Sequence, residues 1–192
     1  DRVTVSLDAI EDEIVQDISN SSISSNDIIE GIKAALEHGL EVKVNTVIIK
    51  NYNEHQIIPI TQRFSEMGVS VRFIEYMDVG GTKNWNPEQV VFGDEIRTII
   101  ATRFGRLKPL KQQKYGEVAN RWSLSNGYEI GFIESISKPF CQSCTRARIS
   151  ANGKLYTCLF SERGYDLKSL ITMGADIKDL RDAVIALWKK RD

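Results

Sequence analysis

An α/β fold built on a parallel sheet is the expectation for this sequence, and three observations carry it. Short alternating runs begin at Val3, Glu41 and Val69, and the segments between them place apolar residues at helical spacing. Strand, helix, strand, helix, strand at such spacing makes βαβ units, whose strands lie side by side and parallel. Beyond residue 83 the pattern changes to brief β runs and turns, ending in a stretch that holds all three cysteines, Cys141, Cys144 and Cys158. The expected division is residues 1–90 as a lobe of parallel strands and residues 91–192 as an α+β lobe around the cysteines.

Composition sets the outer bounds. With 192 residues, 42% of them hydrophobic, the chain can bury one sizeable core or two small ones. A net charge of −1, from 25 basic and 26 acidic residues, leaves no broad field to attract nucleic acid or an anionic membrane, so neither is an expected partner. No run approaches the ~18 apolar residues needed to span a bilayer. The sequence opens directly in a strand with no methionine, leader or signal-peptide order, which reads as a cut chain. Three cysteines at metal-ligand spacing suggest a reducing compartment, and the cytoplasm is the expected one.

The first strand alternates Val3, Val5 and Leu7 with Thr4, Ser6 and Asp8. Two readings stay open for its polar side: an interior that receives a ligand, or the wet face of an edge strand. Asp17 to Asn26 is serine-rich and aperiodic and reads as a surface loop. From Asn26, Ile28, Ile29, Ile32, Ala35 and Leu36 mark an amphipathic helix with an Asn or Ser cap and a stop at Gly39; His38 falls at its solvated end. The strand Glu41–Ile49 turns Val42, Val44 and Ile48 one way and Lys43, Asn45 and Val47 the other. Lys43 must reach solvent or neutralise an anion, because a buried unpaired ammonium is costly. After the loop Asn51–Glu54, a helix carries Ile57, Ile58, Ile60, Phe64 and Met67, with Pro59 tolerated in its first turn. The third strand, Val69–Met77, bears Arg72 and is broken by Asp78-Val79-Gly80-Gly81. Three strands are too few to close a barrel, and ligands gather at the C-terminal ends of such strands, near Met77. A turn-rich crossing at Asn84–Pro87, a helix Asp94–Phe104 and a basic connector Arg106–Tyr115 follow; its lysines 108, 111 and 114 read as a solvated face. Ser125-Asn126-Gly127 between two β runs signals a hairpin, and a last helix starts near Asp176.

The cysteine stretch is where chemistry concentrates. Cys141 and Cys144 form a C-x2-C pair, and Cys158 follows across Asn152-Gly153. Three thiolates with no nearby histidine are one short of a closed zinc site and suit a four-iron cluster with one open iron. Structural zinc completed by an Asp, Glu or distant His, and a redox dithiol, are the other readings. A two-residue turn would set Cys158 opposite Ala147; a three-residue loop with Gly153 left-handed would set it opposite Arg146, and the second is favoured. Arg146 and Arg148, two apart on a strand, would then share a face as a phosphate-binding pair.

The run F-C-x2-C-x-R-x-R-I-x3-G-K-x3-C resembles the C-terminal cluster motif of the molybdenum cofactor biosynthesis protein A family, the radical-SAM GTP 3′,8-cyclases, and the likeness runs through essentially the whole chain. The resemblance implies a partial, incomplete βα barrel of parallel strands with a C-terminal α+β cluster-binding lobe. It implies that Cys141, Cys144 and Cys158 hold a second 4Fe-4S cluster, that GTP meets Lys43, Arg72, Arg146, Ala147 and Arg148, and that S-adenosylmethionine meets Ser6 and Met77. In that family a 5′-deoxyadenosyl radical removes hydrogen from the ribose C3′ of GTP, and C3′ then bonds to purine C8, while the second cluster and basic residues hold the substrate.

The family's first cluster is carried by a C-x3-C-x2-C motif that this sequence lacks. The resemblance therefore implies the N-terminal half of the same barrel as a partner, leaves a homodimer open, and predicts that this segment alone does not generate the radical. The ending also lacks the Gly-Gly of bacterial members and reads as trimmed. An exposed sheet edge and bare apolar faces would make the isolated product marginal or adhesive.

Overall fold

The structure is a computed structural model that describes residues 1–79 and 85–190. The chain forms two compact units, Asp1–Met77 with Trp85–Phe140, and Asp78–Asn84 with Cys141–Asp192.

The first unit is a six-stranded mixed sheet carrying helices on one face. Its strands are β1 (Arg2–Ser6), β2 (Glu41–Ile48), β3 (Ser70–Glu75), β4 (Lys108–Pro109), β5 (Asn120–Ser123) and β6 (Glu129–Ile133), in the order β1-β2-β3-β6-β5-β4. The first four in that order run parallel, and β5 and β4 continue antiparallel. Helices α1 (Asp12–Ser19), α2 (Ser25–Glu37), α3 (Ile57–Glu66) and α4 (Gly93–Phe104) lie between strands in sequence.

Alternation decides which side of the sheet is dry. Val42, Val44 and Ile48 of β2, Val71 and Phe73 of β3, and Ile130 and Phe132 of β6 are buried with Ile32, Ile57, Ile60, Phe64, Ile96 and Ile100 of the helices in one core. Each large side chain so buried contributes roughly 1.5–3 kcal/mol against solvent exposure. The opposite face carries Thr4 and Ser6, both exposed, and Lys43, Asn45 and Arg72, partly buried.

Local chemistry explains the helix ends. Ser24 and Asp27 close a reciprocal capping box at the start of α2, and Gly39 leaves it at φ +75°. Pro59 sits in the first turn of α3, where its missing N–H is harmless, and Gly68 ends that helix at φ +67°. The start of α4 is held by a buried carboxylate: Glu75, the last residue of β3, accepts from the Gly93 amide at 2.9 Å. The same side chain accepts from the amides of Ile136 and Ser137, each at 2.8 Å, and so ties the strand end to the segment before the cysteines.

Several expectations are corrected. The stretch 17–26 is a loop only over residues 20–24, because α1 runs to Ser19 and α2 begins at Ser25. The basic connector contains β4. The hairpin β5–β6 continues the first sheet: the Glu129–Ile133 run is buried at every position after the first and pairs with β3 on one edge and β5 on the other. Of the expected strand break at 78–81, Gly80 and Gly81 lie outside the described residues, as does Asn84 of the next crossing.

The second unit holds a three-stranded antiparallel sheet, β7 (Arg148–Ile149), β8 (Lys154–Tyr156) and β9 (Tyr165–Asp166), followed by α5 (Leu167–Thr172) and α6 (Ile177–Lys189). Leu155 and Leu167 are its buried side chains, and α5 packs on both β8 and α6. Asp176 caps α6 in a second capping box with Asp179. Among the described residues no helix is long and apolar enough to cross a membrane.

Candidate functional site

The expected ligand residues fall in two places, one in each unit. In the first unit, the parallel register builds a polar row on the solvent side of the sheet. Ser6 pairs with Asn45, Asn45 with Arg72, and Arg72 with Gly131, while one step toward the N-terminal ends Thr4 pairs with Lys43. Two hydroxyls, an ammonium, a carboxamide and a guanidinium thus share one surface because each occupies the same phase of a period-two strand. Lys43 is held by Glu41, Nζ to Oε1 at 2.8 Å, and the pairing, through the Lys43 hydrogen bond and charge, holds the Glu41 carboxyl below its usual range.

Arg72 reaches farther than its neighbours. Its Nη2 donates to Thr4 Oγ1 at 3.1 Å, crossing β2 to arrive on β1. Burial, then the charge of Arg2, brings its pKa down from the ordinary arginine value. Arg72 Nε and Asn45 Oδ1 are buried and have no hydrogen-bond partner among the described residues. Buried orphans of this kind are rare in folded proteins and mark a place where water or a ligand completes the bonding. Ser6 ends β1 and Met77 lies two residues past β3, so both stand at the C-terminal ends of parallel strands, where ligands of α/β sheets bind.

In the second unit, Cys141 and Cys144 are joined by a single 3-10 turn, Cys141–Ser143, with the Cys144 amide donating to the Cys141 carbonyl at 3.2 Å. The β7–β8 register is Arg148 to Tyr156 and Ile149 to Leu155; continued by two residues it sets Arg146 against Cys158. The loop is the three-residue one. Ser150 N donates to Lys154 O at 2.9 Å, Gly153 N donates to Ser150 O at 2.8 Å, and Gly153 has φ +79°. Pairing stops at Arg148, so Arg146 and Ala147 lie outside the strand that was expected to carry them, and all three residues of this triplet are exposed. Arg146 turns inward along the chain: its Nε and Nη2 both approach Cys144 Sγ at 3.4 Å.

No disulfide joins the three cysteines; Cys141 and Cys158 are exposed and Cys144 is half-buried. The Arg146 guanidinium lies against the Cys144 sulfur, and cysteine sulfur is a soft donor suited to iron–sulfur centres. The donor set therefore fits an iron–sulfur cluster: three cysteines on a turn and a hairpin, with a cation beside one sulfur. Among the described residues no three His, Cys, Asp or Glu side chains converge closely enough to hold one metal ion. Ligands of a cluster bond to separate irons and stand farther apart than ligands sharing a single ion.

Sequence reasoning singled out Thr4, Ser6, Lys43 and Arg72 strand by strand; the register joins them on one surface, and two residues that shape it were missed. Gly131 was legible as a glycine inside an apolar strand, a sign of close approach, and here the approaching group is the Arg72 stem. Glu75 was legible as a lone carboxylate ending the run Val71–Ile74.

Comparison with known proteins agrees with this layout. The Radical SAM superfamily matches residues 1–64, and Molybdenum Cofactor Synthesis C matches residues 69–192. Proteins named GTP 3′,8-cyclase are similar along the full chain: one from Staphylococcus epidermidis strain ATCC 35984 at 44% identity, and one from Staphylococcus aureus strain MRSA252 at 42%. The chain is covered completely in both comparisons and spans 56% of the length of each relative. With the match running from the last parallel strands through the cysteine hairpin to the end, the chain belongs to the Molybdenum Cofactor Synthesis C family.

Proposed function

We propose that this chain is the segment of a GTP 3′,8-cyclase that contributes the second 4Fe-4S cluster and most of the GTP site, within the radical-SAM branch of molybdenum cofactor biosynthesis. One observation carries the reading: the parallel strands bury one face under helices and present Thr4, Ser6, Lys43 and Arg72 on the other. In a βα barrel the helix-covered face is the outside and the opposite face lines the lumen. On this reading the strands of residues 1–90 are part of an incomplete barrel, and residues 91–192 carry the auxiliary cluster region. The names and identities of the cyclase relatives support it along the whole length.

The residues divide the work by position. Ser6 and Met77, at the strand ends, receive S-adenosylmethionine. Lys43 and Arg72, deeper along the same face, offer charge-assisted hydrogen bonds to phosphate. Within the second unit, Arg146 and Arg148, flanking Ala147, offer guanidiniums to the nucleotide. Cys141, Cys144 and Cys158 hold the cluster, which when bound supplies an open iron as a Lewis acid toward the guanine. Arg146, hydrogen-bonded to the Cys144 sulfur, orients that side chain as a ligand. Reductive cleavage of S-adenosylmethionine needs a further cysteine set, since all three cysteines present are assigned here. Cysteines kept as metal ligands need a reducing compartment, and the cytoplasm is the one this reading assigns.

Anaerobic reconstitution followed by metal analysis tests the assignment. About four irons and four sulfides per chain are expected, lost in Cys158→Ala; a single zinc per chain overturns it. GTP titration tests the clamp: Arg146→Ala is expected to weaken binding about tenfold or more while Lys108→Ala does not, and equal effects would misplace the site.

A further inference from the structure

Arginine at a binding site is useful in proportion to how far its long stem is fixed beforehand, because every rotamer lost on binding subtracts from affinity. Arg72 is fixed from two sides. Gly131 is its register partner on β6, and a Cβ built there would lie 2.8 Å from Arg72 Cγ and 3.2 Å from Ala119 Cβ. Only the bare glycine backbone leaves room for the stem to lie against β6. From that backstop the head crosses β2, and its Nη2 meets Thr4 Oγ1 on β1 at 3.1 Å. The side chain therefore spans the sheet between a glycine that shapes its base and a hydroxyl that holds its tip.

With Nη2 engaged by Thr4, Nε stays buried and unpartnered among the described residues, beside the equally unpartnered Asn45 Oδ1 on the neighbouring strand. A fold that carries such orphans at one spot is arranged for an incoming group with hydrogen-bonding capacity. We infer that Thr4 and Gly131 are positioning residues that pre-set the Arg72 guanidinium for the phosphate part of the nucleotide. Neither needs to touch the ligand. The inference rests on the reading of Arg72 as a GTP contact given above.

The test is GTP and guanosine titrated separately into the 192-residue chain and its variants. Thr4→Val keeps the shape of threonine and removes the acceptor, and Gly131→Ala adds the single carbon that meets the Arg72 stem. Each is expected to weaken GTP binding about fivefold to tenfold, with guanosine binding unchanged and with Thr4→Ser restoring GTP affinity. In an Arg72→Ala background, Thr4→Val is expected to cost nothing more, since a residue that acts only through Arg72 has nothing left to position. If Gly131→Ala fails to fold, the threonine series decides alone. Loss of affinity in Arg72→Ala with none in Thr4→Val overturns the inference and leaves the GTP reading standing. An additive loss in the double variant, or a parallel loss for guanosine, also overturns it. No effect of Arg72→Ala on GTP overturns both.

Discussion

Replacing Glu134 by alanine is expected to be among the most destabilising single changes in the first unit, and the cost can be worked from its surroundings. Glu134 is 2% exposed and accepts from Arg97 Nη2 at 2.9 Å, Asn120 Nδ2 at 2.7 Å and Lys138 Nζ at 3.0 Å. The Arg97 side chain is 8% exposed, with its guanidinium 4.8 Å from the Trp122 ring centre and 4.9 Å from that of Phe132. Alanine at 134 would strand that guanidinium with Asp94, a carboxylate 75% exposed and so well screened by solvent. Breaking a buried pair from one side costs roughly 3–5 kcal/mol, and the surviving Asp94 contact places this case near the lower figure, about 3 kcal/mol. Against a total stability on the order of 5–15 kcal/mol, that is a large fraction. Urea unfolding reads it as a fall in midpoint at constant slope. The paired replacement Arg97→Met with Glu134→Leu removes both charges and is expected to recover stability to within about 1 kcal/mol of the parent. A single Glu134→Ala loss below about 1 kcal/mol, or a double variant as weak as the single, would refute the claim that the pair is energetically coupled.

Acid should act on the same residue. Burial pushes the Glu134 carboxyl up, but the bonds from Arg97, Asn120 and Lys138 outweigh it and hold it below the usual range. Its contribution is then full above the ordinary carboxylate pKa and is lost as pH falls through the depressed folded value; Glu134→Gln should flatten that limb in urea titrations between neutral and acid pH, and an unchanged limb would count against it. Asp8 has the opposite sign: burial, only partly offset by the Val47 amide at 2.7 Å, raises it, so its contribution is full below the ordinary value and lost as pH rises. Asp8→Asn should therefore gain stability relative to the parent at pH 7 and lose that gain in acid; a pH-independent difference would be contrary. Gly153→Ala should cost about 1–2 kcal/mol, from its φ of +79° and a new carbon 2.6 Å from Lys168 Cβ. Amide exchange at Lys154 should quicken in that variant and reconstituted iron should fall, whereas unchanged iron would separate the loop from the cluster.

What could be read in the sequence was whatever a local rule decides. The alternation around Lys43 turned it away from Val42 and Val44, since period two leaves no freedom once those two must be buried; that Arg72 shares its surface comes from the pairing of β2 with β3. The caps at Ser24 and Asp176 and the glycines after α2 and α3 announced helix ends through their own chemistry. Pairing partners far apart in sequence obeyed no such rule. The run Glu129–Ile133 looked like half of a hairpin and is that, but its other edge docks on β3, some sixty residues earlier, which only tertiary burial determines. The six-residue α5 lacked the length to show a period, and β9, two residues long, had no pattern to show.

The cysteine hairpin lies between these cases. Asn152-Gly153 announces a turn but permits two loop lengths, and the two differ by one residue of register, which moves Cys158 from one face of the hairpin to the other. Backbone propensity does not separate them. What does is the next turn of reasoning: the three-residue loop lets Ser150 close on Lys154 through both backbone and side chain, with Oγ 3.2 Å from the Lys154 amide. A serine before the turn and a glycine at its third position are thus one device, and it sets the register Arg148 to Tyr156 which, continued past the last pair, would face Cys158 toward Arg146. The same guanidinium that was expected to serve only phosphate contacts Cys144, a proposed cluster ligand, so Arg146→Ala should disturb cluster assembly as well as GTP binding. Arg148, paired across from Tyr156 and four residues from Cys144 rather than two, should disturb GTP alone.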